Sequence, residues 1–518
     1  PLRDGEPTAI DAWLSELTHA GLVSAKLPQL HLPLGKTIVQ PGQLLASGFQ
    51  QPADLPRDAV MTRGRHSVQY RAGADLDVFW DKPVPDGEVD LLWMDEQLAL
   101  LWVDGWQSFV VFDVETGEPA WERISAAEFM QVDRGPDGEA LDAREAQQAR
   151  LRMEAMQRQM LVQQRAQQQV VRMQMQVING RVVQVQQFGP QRPTGQAGLY
   201  RFAVNDTVAC MSDHEGNVVA IDWRSGDVLW RSTIEAQAVT QVVMDQQHVA
   251  VLAVNGVQRA QMRGHIVVFD ALTGERQREI NEPNIIQWMG LGGDEMVVFA
   301  MPGEVAAAPI AARDLAWRVK VERPMNRPTG EAGPETAIVF DDEGMATVID
   351  IADGRIVGRH FPATGTIGGN NSSPLVRTED QWHLLMPSQV TALAGDGSLL
   401  WRDAIQSEGK FLVNQLIGRD FVAVVDYDTL GRGGQRGAAI RQGPGERVQV
   451  ALPAAGEHVY TLYLLDRGGG SILDARSIEG LREPLVANRA LFLDNRLVLS
   501  TSSAIIIIPG AADAEDAQ

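Results

Sequence analysis

Short apolar runs rich in β-branched residues recur along the chain, and many of them end at an acidic residue followed four positions later by a glycine. One example is 109–112, which precedes Asp113 and Gly117. Runs of Val, Ile and Phe predict strands. An Asp that accepts backbone N–H bonds, together with a Gly at positive φ, is typical of a tight turn. Each unit therefore predicts a β-hairpin, and a second strand that often carries a Trp follows it.

The unit repeats at intervals of about 40–48 residues, the length expected of a four-stranded propeller blade. Eight turn positions can be counted when degenerate copies are included. The sequence therefore predicts an all-β fold, an eight-bladed (seven to eight) β-propeller with four-stranded blades, over residues 61–518. The residues predicted to form the structural repeat are Asp113, Gly117, Trp121, Asp222, Gly226, Trp230, Asp270, Gly274, Asp350, Gly354, Trp401 and Asp466.

The pattern V-x-[AF]-[ILF]-D-x-x-[TS]-G-x-x-x-W resembles the pyrroloquinoline-quinone-like β-propeller repeat family over roughly residues 90–510. The resemblance is nearer to the family's non-enzymatic barrel-assembly lipoproteins than to its dehydrogenases. It implies that each repeat Trp packs on the neighbouring blade, a role that falls on Trp121, Trp230 and Trp401, and on Trp317 in a degenerate copy.

Two insertions interrupt the repeats. Residues 139–177 contain no Gly or Pro and are rich in strong helix formers, so they predict a long α-helical insertion. The helix either lies against the propeller or projects to bind another protein or a second copy of this chain; a third alternative is disorder. Its candidate partner-binding positions recur at spacings of three and four, as in a heptad seam. They are Ala146, Ala149, Met153, Met156 and Met160.

The second insertion, residues 428–453, predicts a loop with a basic, Gly-rich segment. Residues 1–60 predict an N-terminal extension or linker. A strand near 68–80 is expected to close the ring against the last blade, because closure removes exposed sheet edges. The chain begins with Pro, so we expect a signal or anchor to have been removed.

Charge and composition exclude several classes of function. The formal net charge is −22, which disfavours nucleic acid and anionic membrane surfaces as partners. No apolar run is long enough for a membrane-spanning helix. The single cysteine, Cys210, excludes an internal disulfide and cysteine-based zinc sites. No His pair has the spacing of a helical zinc motif, so no catalytic, cofactor-binding or metal-binding residue is assigned.

We expect a non-catalytic scaffold of the bacterial cell envelope, periplasmic or otherwise extracytoplasmic, that binds other proteins through the helical insertion and the propeller face. One alternative is a quinone-dependent alcohol dehydrogenase with pyrroloquinoline quinone and calcium. Dehydrogenases of the resembling family hold the quinone against a vicinal disulfide, which Cys210 alone cannot form. Another alternative is ligand or glycan binding in the central funnel of the propeller.

Overall fold

The computed structural model describes most of the chain between residues 32 and 510. The described residues are 32, 34, 37–41, 43–45, 59–64, 66–73, 76–123, 125–126, 130, 177–178, 181–182, 200–255, 262–293, 295–321, 329–341, 345–360, 375–378, 381–386, 389–404, 410–418, 420–428, 458–481, 483, 485–493 and 495–510. The chain divides into two compact units. The first comprises Pro1–Met130, Gln191–Gly433 and Gly456–Gln518, and the second comprises Gln131–Pro190 and Gly434–Ala455.

The first unit consists of antiparallel sheets, which we number as blades 1–9 in chain order. Blade 1 contains β2 (Gln43–Leu44), β3 (Ala59–Arg63), β4 (Ser67–Ala72) and β5 (Asp77–Pro83). Blade 2 contains β6 (Val89–Met94), β7 (Leu98–Val103) and β8 (Ser108–Asp113). Blade 3 contains β11 (Arg201–Val204), β12 (Val208–Ser212), β13 (Asn217–Asp222) and β14 (Val228–Thr233).

The central blades each have four strands. Blade 4 contains β15 (Ala238–Met244), β16 (His248–Asn255), β17 (Arg263–Asp270) and β18 (Arg276–Glu282). Blade 5 contains β19 (Trp288–Gly292), β20 (Met296–Met301), β21 (Glu304–Pro309) and β22 (Trp317–Lys320). Blade 6 contains β23 (Thr329–Ala332), β24 (Thr336–Phe340), β25 (Ala346–Asp350) and β26 (Ile356–His360).

The last blades complete the first unit. Blade 7 contains β27 (Leu375–Arg377), β28 (Gln381–Met386), β29 (Gln389–Ala394) and β30 (Leu399–Ala404). Blade 8 contains β31 (Lys410–Ile417), β32 (Phe421–Asp428), β33 (His458–Asp466) and β34 (Ile472–Leu481). Blade 9 contains β35 (Leu485–Leu493), β36 (Arg496–Thr501) and β37 (Ala504–Pro509), and β1 (Ile38–Pro41) is its outer strand.

The all-β propeller is confirmed, but the predicted number of eight blades is wrong, because the described residues form nine. The uncounted blade is blade 1. Register places Trp80 opposite Tyr70, as Trp230 lies opposite Ala220 in blade 3. By the same alignment, Ala72 and Leu76 stand where blades 2, 3, 4, 6 and 8 carry Asp and Gly. Leu76 adopts a positive φ of +52°, the backbone conformation that Gly adopts in those blades. Blade 1 therefore forms the turn without the Asp and Gly that identify it in the sequence.

The ring closes through β1, which pairs antiparallel with β37 so that Ile38 lies opposite Ile507. The expectation that residues 68–80 close the ring is therefore wrong, because those residues form β4 and β5 of blade 1. The segment 38–45, inside the predicted extension 1–60, supplies strands to two different blades. The fold thus unites its N- and C-terminal strands in one sheet.

The predicted helical insertion is not supported, since the described residues contain no helical element. Its last residue, Val177, lies in a strand: β9 (Val177–Ile178) pairs with β10 (Arg181–Val182) in a two-stranded ribbon of the second unit. A helix extending to Val177 is therefore wrong at that end. Residues 139–176 lie outside the described part of the chain. No helix within the described residues is long and apolar enough to cross a bilayer.

The core lies between the blades. Along β16, Val249 and Val251 join a cluster with blade 3, whereas Ala250 and Leu252 join a cluster with blade 5. Successive side chains of a strand point to opposite faces of the sheet, so both faces of this strand are buried. This explains why the central strands are continuous apolar runs rather than alternating ones.

Candidate functional site

The repeat Asp residues lie at the turn between the third and fourth strands of a blade. The Oδ1 of Asp113 accepts the backbone N–H (2.8 Å) and the hydroxyl (2.8 Å) of Thr116. These two bonds lower the pKa of Asp113. Burial alone would raise the pKa of Asp270, but hydrogen bonds from Thr273 and Leu272 outweigh it and lower that pKa. Backbone N–H groups of the turn also donate to the other repeat carboxylates, from Arg224 to Asp222 (2.9 Å), from Ala352 to Asp350 (2.9 Å) and from Gly469 to Asp466 (2.5 Å).

The repeat glycines end these turns at positive φ. The N–H of Gly274 donates to the carbonyl of Asp270 (3.0 Å), and its φ is +71°. A Cβ at Gly274 would lie 2.5 Å from Cγ of Trp230, closer than two atoms can pack. Glycine is therefore required here both for the backbone conformation and for the close approach of an indole. The other repeat glycines have similar φ values, namely Gly117 (+68°), Gly226 (+81°) and Gly354 (+76°).

The repeat Trp of one blade packs on the turn glycine of the next blade. In each of these docking contacts, the indole N–H donates to the carbonyl three residues before that glycine. The pairs are Trp80 to Val114 (2.8 Å), Trp121 to Trp223 (3.0 Å), Trp230 to Ala271 (2.8 Å), Trp317 to Ile351 (2.6 Å) and Trp401 to Arg467 (2.6 Å). Sequence reasoning missed Trp80, because its blade lacks the Asp and Gly that would have identified it.

Of the eight boundaries between consecutive blades from 1 to 9, three have another residue at the docking position, which register identifies. Blade 4 carries Arg278, whose Nη2 donates to the carbonyl of Arg313 in blade 5. Blade 6 carries Gly358, and blade 8 carries Asp474. Arg278 keeps the hydrogen bond across the boundary, whereas Gly358 has no side chain with which to make one.

The boundary between blades 6 and 7 is bridged differently on its inner side. The indole N–H of Trp382, from blade 7, donates to Oγ1 of Thr336 in blade 6 (3.0 Å), and that hydroxyl donates to the carbonyl of Gly395 (2.8 Å). A Cβ at Gly397 would lie 2.4 Å from Cγ1 of Val348, so the turn of blade 7 packs directly on the third strand of blade 6. The tryptophan at this boundary thus comes from the opposite blade.

On the outer side of the same boundary, His360 takes part of the space left by Gly358. Its Nε2 lies 3.0 Å from where a Cβ of Gly358 would be. Its Nδ1 accepts a hydrogen bond from Nη2 of Arg402 in blade 7 (3.1 Å), because a guanidinium can only donate. Burial, reinforced by the positive charge of Arg402, lowers the pKa of His360. The imidazole of His360 is therefore uncharged at neutral pH.

A cleft of about 360 Å³ opens between blades 6 and 7 beside this bridge. Glu335 and Pro334 contribute one wall. The opposite wall consists of Arg377, Thr378, Trp382, Gly395 and Asp396. The carboxyl of Glu331, on the innermost strand of blade 6, lies 3.7 Å from Nε of Arg377. Burial raises the pKa of Glu331, and Arg377 opposes the rise.

A second feature is a set of four exposed aliphatic side chains on the adjacent blades 7 and 8, which we call the rim patch. It comprises Leu399, Leu400, Ile472 and Leu473, which are 44–51% exposed. Each pair begins the outer strand of its blade, and the pairs flank the contact of Trp401 with Gly470. Exposed apolar patches on the order of a few hundred Å² commonly mark interaction sites.

Ring closure depends on a different chemistry, centred on Arg71 of blade 1. Its Nη2 donates to the carbonyl of Pro41 (2.7 Å) and its Nη1 to Oε1 of Gln40 (2.8 Å), both in the closing strand β1. Its Nε donates to Oγ1 of Thr62 (3.1 Å). The guanidinium is only 4% exposed, so these bonds replace its hydration. Burial lowers the pKa of Arg71, and Asp77 and Asp81 partly offset the shift.

The sequence also singled out five partner-binding positions and one cysteine. Ala146, Ala149, Met153, Met156 and Met160 lie outside the described part of the chain. Cys210 is fully buried in β12, and burial raises the pKa of its thiol, so it is a packing residue rather than a nucleophile. Within the described residues, no group of three or more His, Cys, Asp or Glu side chains is placed to hold a metal ion.

Comparison of the sequence with known families gives one match. Residues 164–355 match the profile of the pyrroloquinoline-quinone-like repeat family described as outer membrane protein assembly factor BamB. The match confirms the resemblance to this repeat family, near the BamB type. No curated protein matches the sequence.

Several solved structures are similar in part. The computationally designed Ika8 protein has a TM-score of 0.41 and 11% identity, covering 94% of this chain and 100% of that one. BamB from Moraxella catarrhalis has a TM-score of 0.32 and 14% identity, covering 60% and 96%. Kluyveromyces lactis Hsv2 has a TM-score of 0.39 and 8% identity, covering 70% and 100%. At these values we infer nothing about function from the three structures.

Proposed function

We propose that this protein is a non-catalytic scaffold of the bacterial cell envelope, located outside the cytoplasm, that holds a partner protein on the rim of its propeller. The rim patch carries the proposal. Four aliphatic side chains about half exposed on adjacent blades are costly to leave in water, and a partner's surface would remove them from it. The family profile, described as an outer membrane protein assembly factor, supports the envelope location.

The rigidity of the rim also supports a scaffold. Leu400 precedes Trp401, which is fixed on Gly470 by packing and by its bond to the carbonyl of Arg467. The two aliphatic pairs are therefore held at a fixed separation, so little conformational entropy is lost when a partner docks. The net charge of −22 favours a partner that surrounds its apolar face with basic residues.

Photo-cross-linking from the rim tests the proposal. A photoreactive residue at position 473 is expected to capture an envelope protein in the native organism. A residue at position 272, whose Leu272 is exposed on blade 4, is the matched control and is expected to capture none. The captured protein, once purified, is expected to bind the wild-type chain, and Leu400→Asp is expected to raise the Kd about tenfold or more, which is 1.4 kcal/mol or more.

Two outcomes would contradict a scaffold that uses this rim. One is equal capture from positions 473 and 272, which would indicate contact without a defined surface. The other is binding of the purified partner that Leu400→Asp leaves unchanged. Unfolding curves of the variant provide the control for stability, and an exposed substitution is expected to leave them within about 0.5 kcal/mol of the wild type.

A further inference from the structure

The cleft between blades 6 and 7 is a recess at an irregular boundary of the ring. Two departures from the repeat accompany it. Blade 6 has Gly358 in place of the docking Trp, and the turn of blade 7 is one residue tighter, with the N–H of Gly397 donating to the carbonyl of Ala394 (2.9 Å). In blades 2, 3, 4, 6 and 8 the turn glycine instead donates to the carbonyl four residues earlier. The recess has a volume of about 360 Å³, at the small end of ligand sites.

One wall of the cleft carries an oriented positive charge. Nη1 of Arg377 donates to the carbonyl of Ala332 (3.3 Å), and its guanidinium carbon lies 5.6 Å from the centre of the Trp382 ring. Glu331 lies on the Nε side of the same guanidinium. Within the described residues these contacts engage Nε and Nη1, so Nη2 is the donor that remains for a ligand. A guanidinium held in this way is suited to a carboxylate.

The other charged groups of the cleft are carboxylates. The hydroxyl of Ser398 donates to the Asp396 carboxylate, and the N–H of Ser398 donates to its Oδ1 (2.9 Å). These bonds lower the pKa of Asp396, so it is ionised at neutral pH. Glu335 stands on the facing blade and is exposed. The pair provides acceptors for an ammonium group.

The cleft therefore combines one guanidinium, that of Arg377, with the two carboxylates of Glu335 and Asp396. A purely cationic ligand would be repelled by the guanidinium, and a purely anionic ligand would be repelled by the carboxylates. We propose that this cleft binds a short zwitterionic peptide, with the ligand carboxylate on Arg377 and the ligand ammonium between Glu335 and Asp396. The hydroxyl of Thr378 is held by Nη2 of Arg467 in blade 8 (3.1 Å), so this wall is fixed before the ligand enters. The inference is independent of the scaffold function, because the rim patch contributes no residue to the cleft.

Calorimetric titration of the full chain with L-alanyl-L-leucine tests the site. We expect saturable binding, and we expect N-acetylation or C-amidation of the dipeptide to weaken it by up to about fivefold, the upper end of the range for an exposed charge pair. A free amino acid carries the same ammonium and carboxylate groups as a peptide, so free leucine is titrated as well. If leucine binds as tightly as the dipeptide, the ligand is a free amino acid; if leucine binds more weakly, the ligand is a peptide.

Charge-removing variants assign the contacts. Glu335→Gln is expected to weaken the free dipeptide but not its N-acetylated form. Arg377→Gln is expected to weaken the free dipeptide but not its amide. Glu115→Gln and Arg263→Gln, at exposed positions of blades 2 and 4, are the matched controls and are expected to leave the affinity unchanged.

The proposal is overturned by the absence of saturable heat at millimolar dipeptide, or by equal affinity for the free and capped forms. It is also overturned if Glu335→Gln binds all ligands like the wild type. The Glu335 variant decides the question even if Arg377→Gln fails to fold, since the Glu335 side chain is exposed.

Discussion

The boundary between blades 3 and 4 and the boundary between blades 6 and 7 solve the same packing problem in different ways. At the first, Trp230 packs on Gly274 and donates to the carbonyl of Ala271 (2.8 Å). One side chain supplies both the apolar contact and the hydrogen bond. Its ring also stacks on Phe269, with centroids 5.3 Å apart.

At the second boundary the two contributions are separated. The hydrogen bonding passes through Trp382 and Thr336 on the inner side, and His360 with Arg402 closes the outer side. Packing is direct, between the turn of blade 7 and Val348. The ring therefore tolerates loss of a docking Trp where other polar groups still bridge the blades, and a recess and a titratable contact accompany the loss.

Removing the docking Trp from the regular boundary is expected to have the largest effect on stability. Trp230→Ala deletes a buried indole, its stacking on Phe269 and its hydrogen bond, and is expected to lower the free energy of unfolding by about 4 kcal/mol. Urea unfolding followed by tryptophan fluorescence and circular dichroism measures it. Leu229→Ala, at the exposed neighbouring residue, is the control; a similar loss from both variants would contradict the role of the docking contact.

The closing strand provides the next test, because its boundary has neither a docking Trp nor the Trp382 bridge. Arg71→Met keeps the aliphatic stem and removes the bonds to Gln40, Pro41 and Thr62. We expect a loss of about 2–3 kcal/mol, the cost of leaving buried acceptors unpaired. Hydrogen exchange of β37 is expected to rise more than that of β16. Equal acceleration in the two strands would contradict a local role in closure.

Much of this fold follows from the sequence because the repeat combines strand, turn and docking residue in one short pattern. Asp270, Gly274 and Trp230 could be predicted, since each has a local chemical requirement that its residue type meets. Blade 1 could not be counted, because Leu76 takes a positive φ with no residue type to indicate it. Strand pairing between β1 and β37 joins segments more than 450 residues apart, which no local pattern encodes.

The candidate sites were less predictable than the fold. The cleft brings Glu335 together with Arg377 and Asp396, which belong to a different blade. Which of these side chains meet depends on the register and approach of two blades, and not on spacing in the chain. The positions of the rim patch could be predicted more easily, since Leu399 and Ile472 each lie two residues after the turn glycine of their blade. Only the solvent exposure of these residues distinguishes them from core positions.

The smallest expected effect concerns the pH dependence of the irregular boundary. Because burial and Arg402 lower the pKa of His360, the folded protein binds fewer protons at this group than the unfolded chain, whose imidazole titrates near 6.5. This contribution is fully present above pH 6.5 and is lost as the pH falls towards the pKa of the folded state. Protonation would also place a second positive charge against the Arg402 guanidinium, from which Nδ1 now accepts a hydrogen bond.

Unfolding free energies measured between pH 5 and pH 8 isolate this contribution. His360→Asn retains an acceptor for Arg402 but cannot titrate, so we expect its stability to fall less steeply below pH 6.5 than that of the wild type. His66→Asn, at an exposed imidazole of blade 1, is the control and is expected to follow the wild-type curve more closely. If His360→Asn and the wild type lose stability in parallel as the pH falls, the neutral imidazole contributes nothing to the boundary, and the packing of blade 7 on Val348 with the Trp382 bridge is sufficient to hold it.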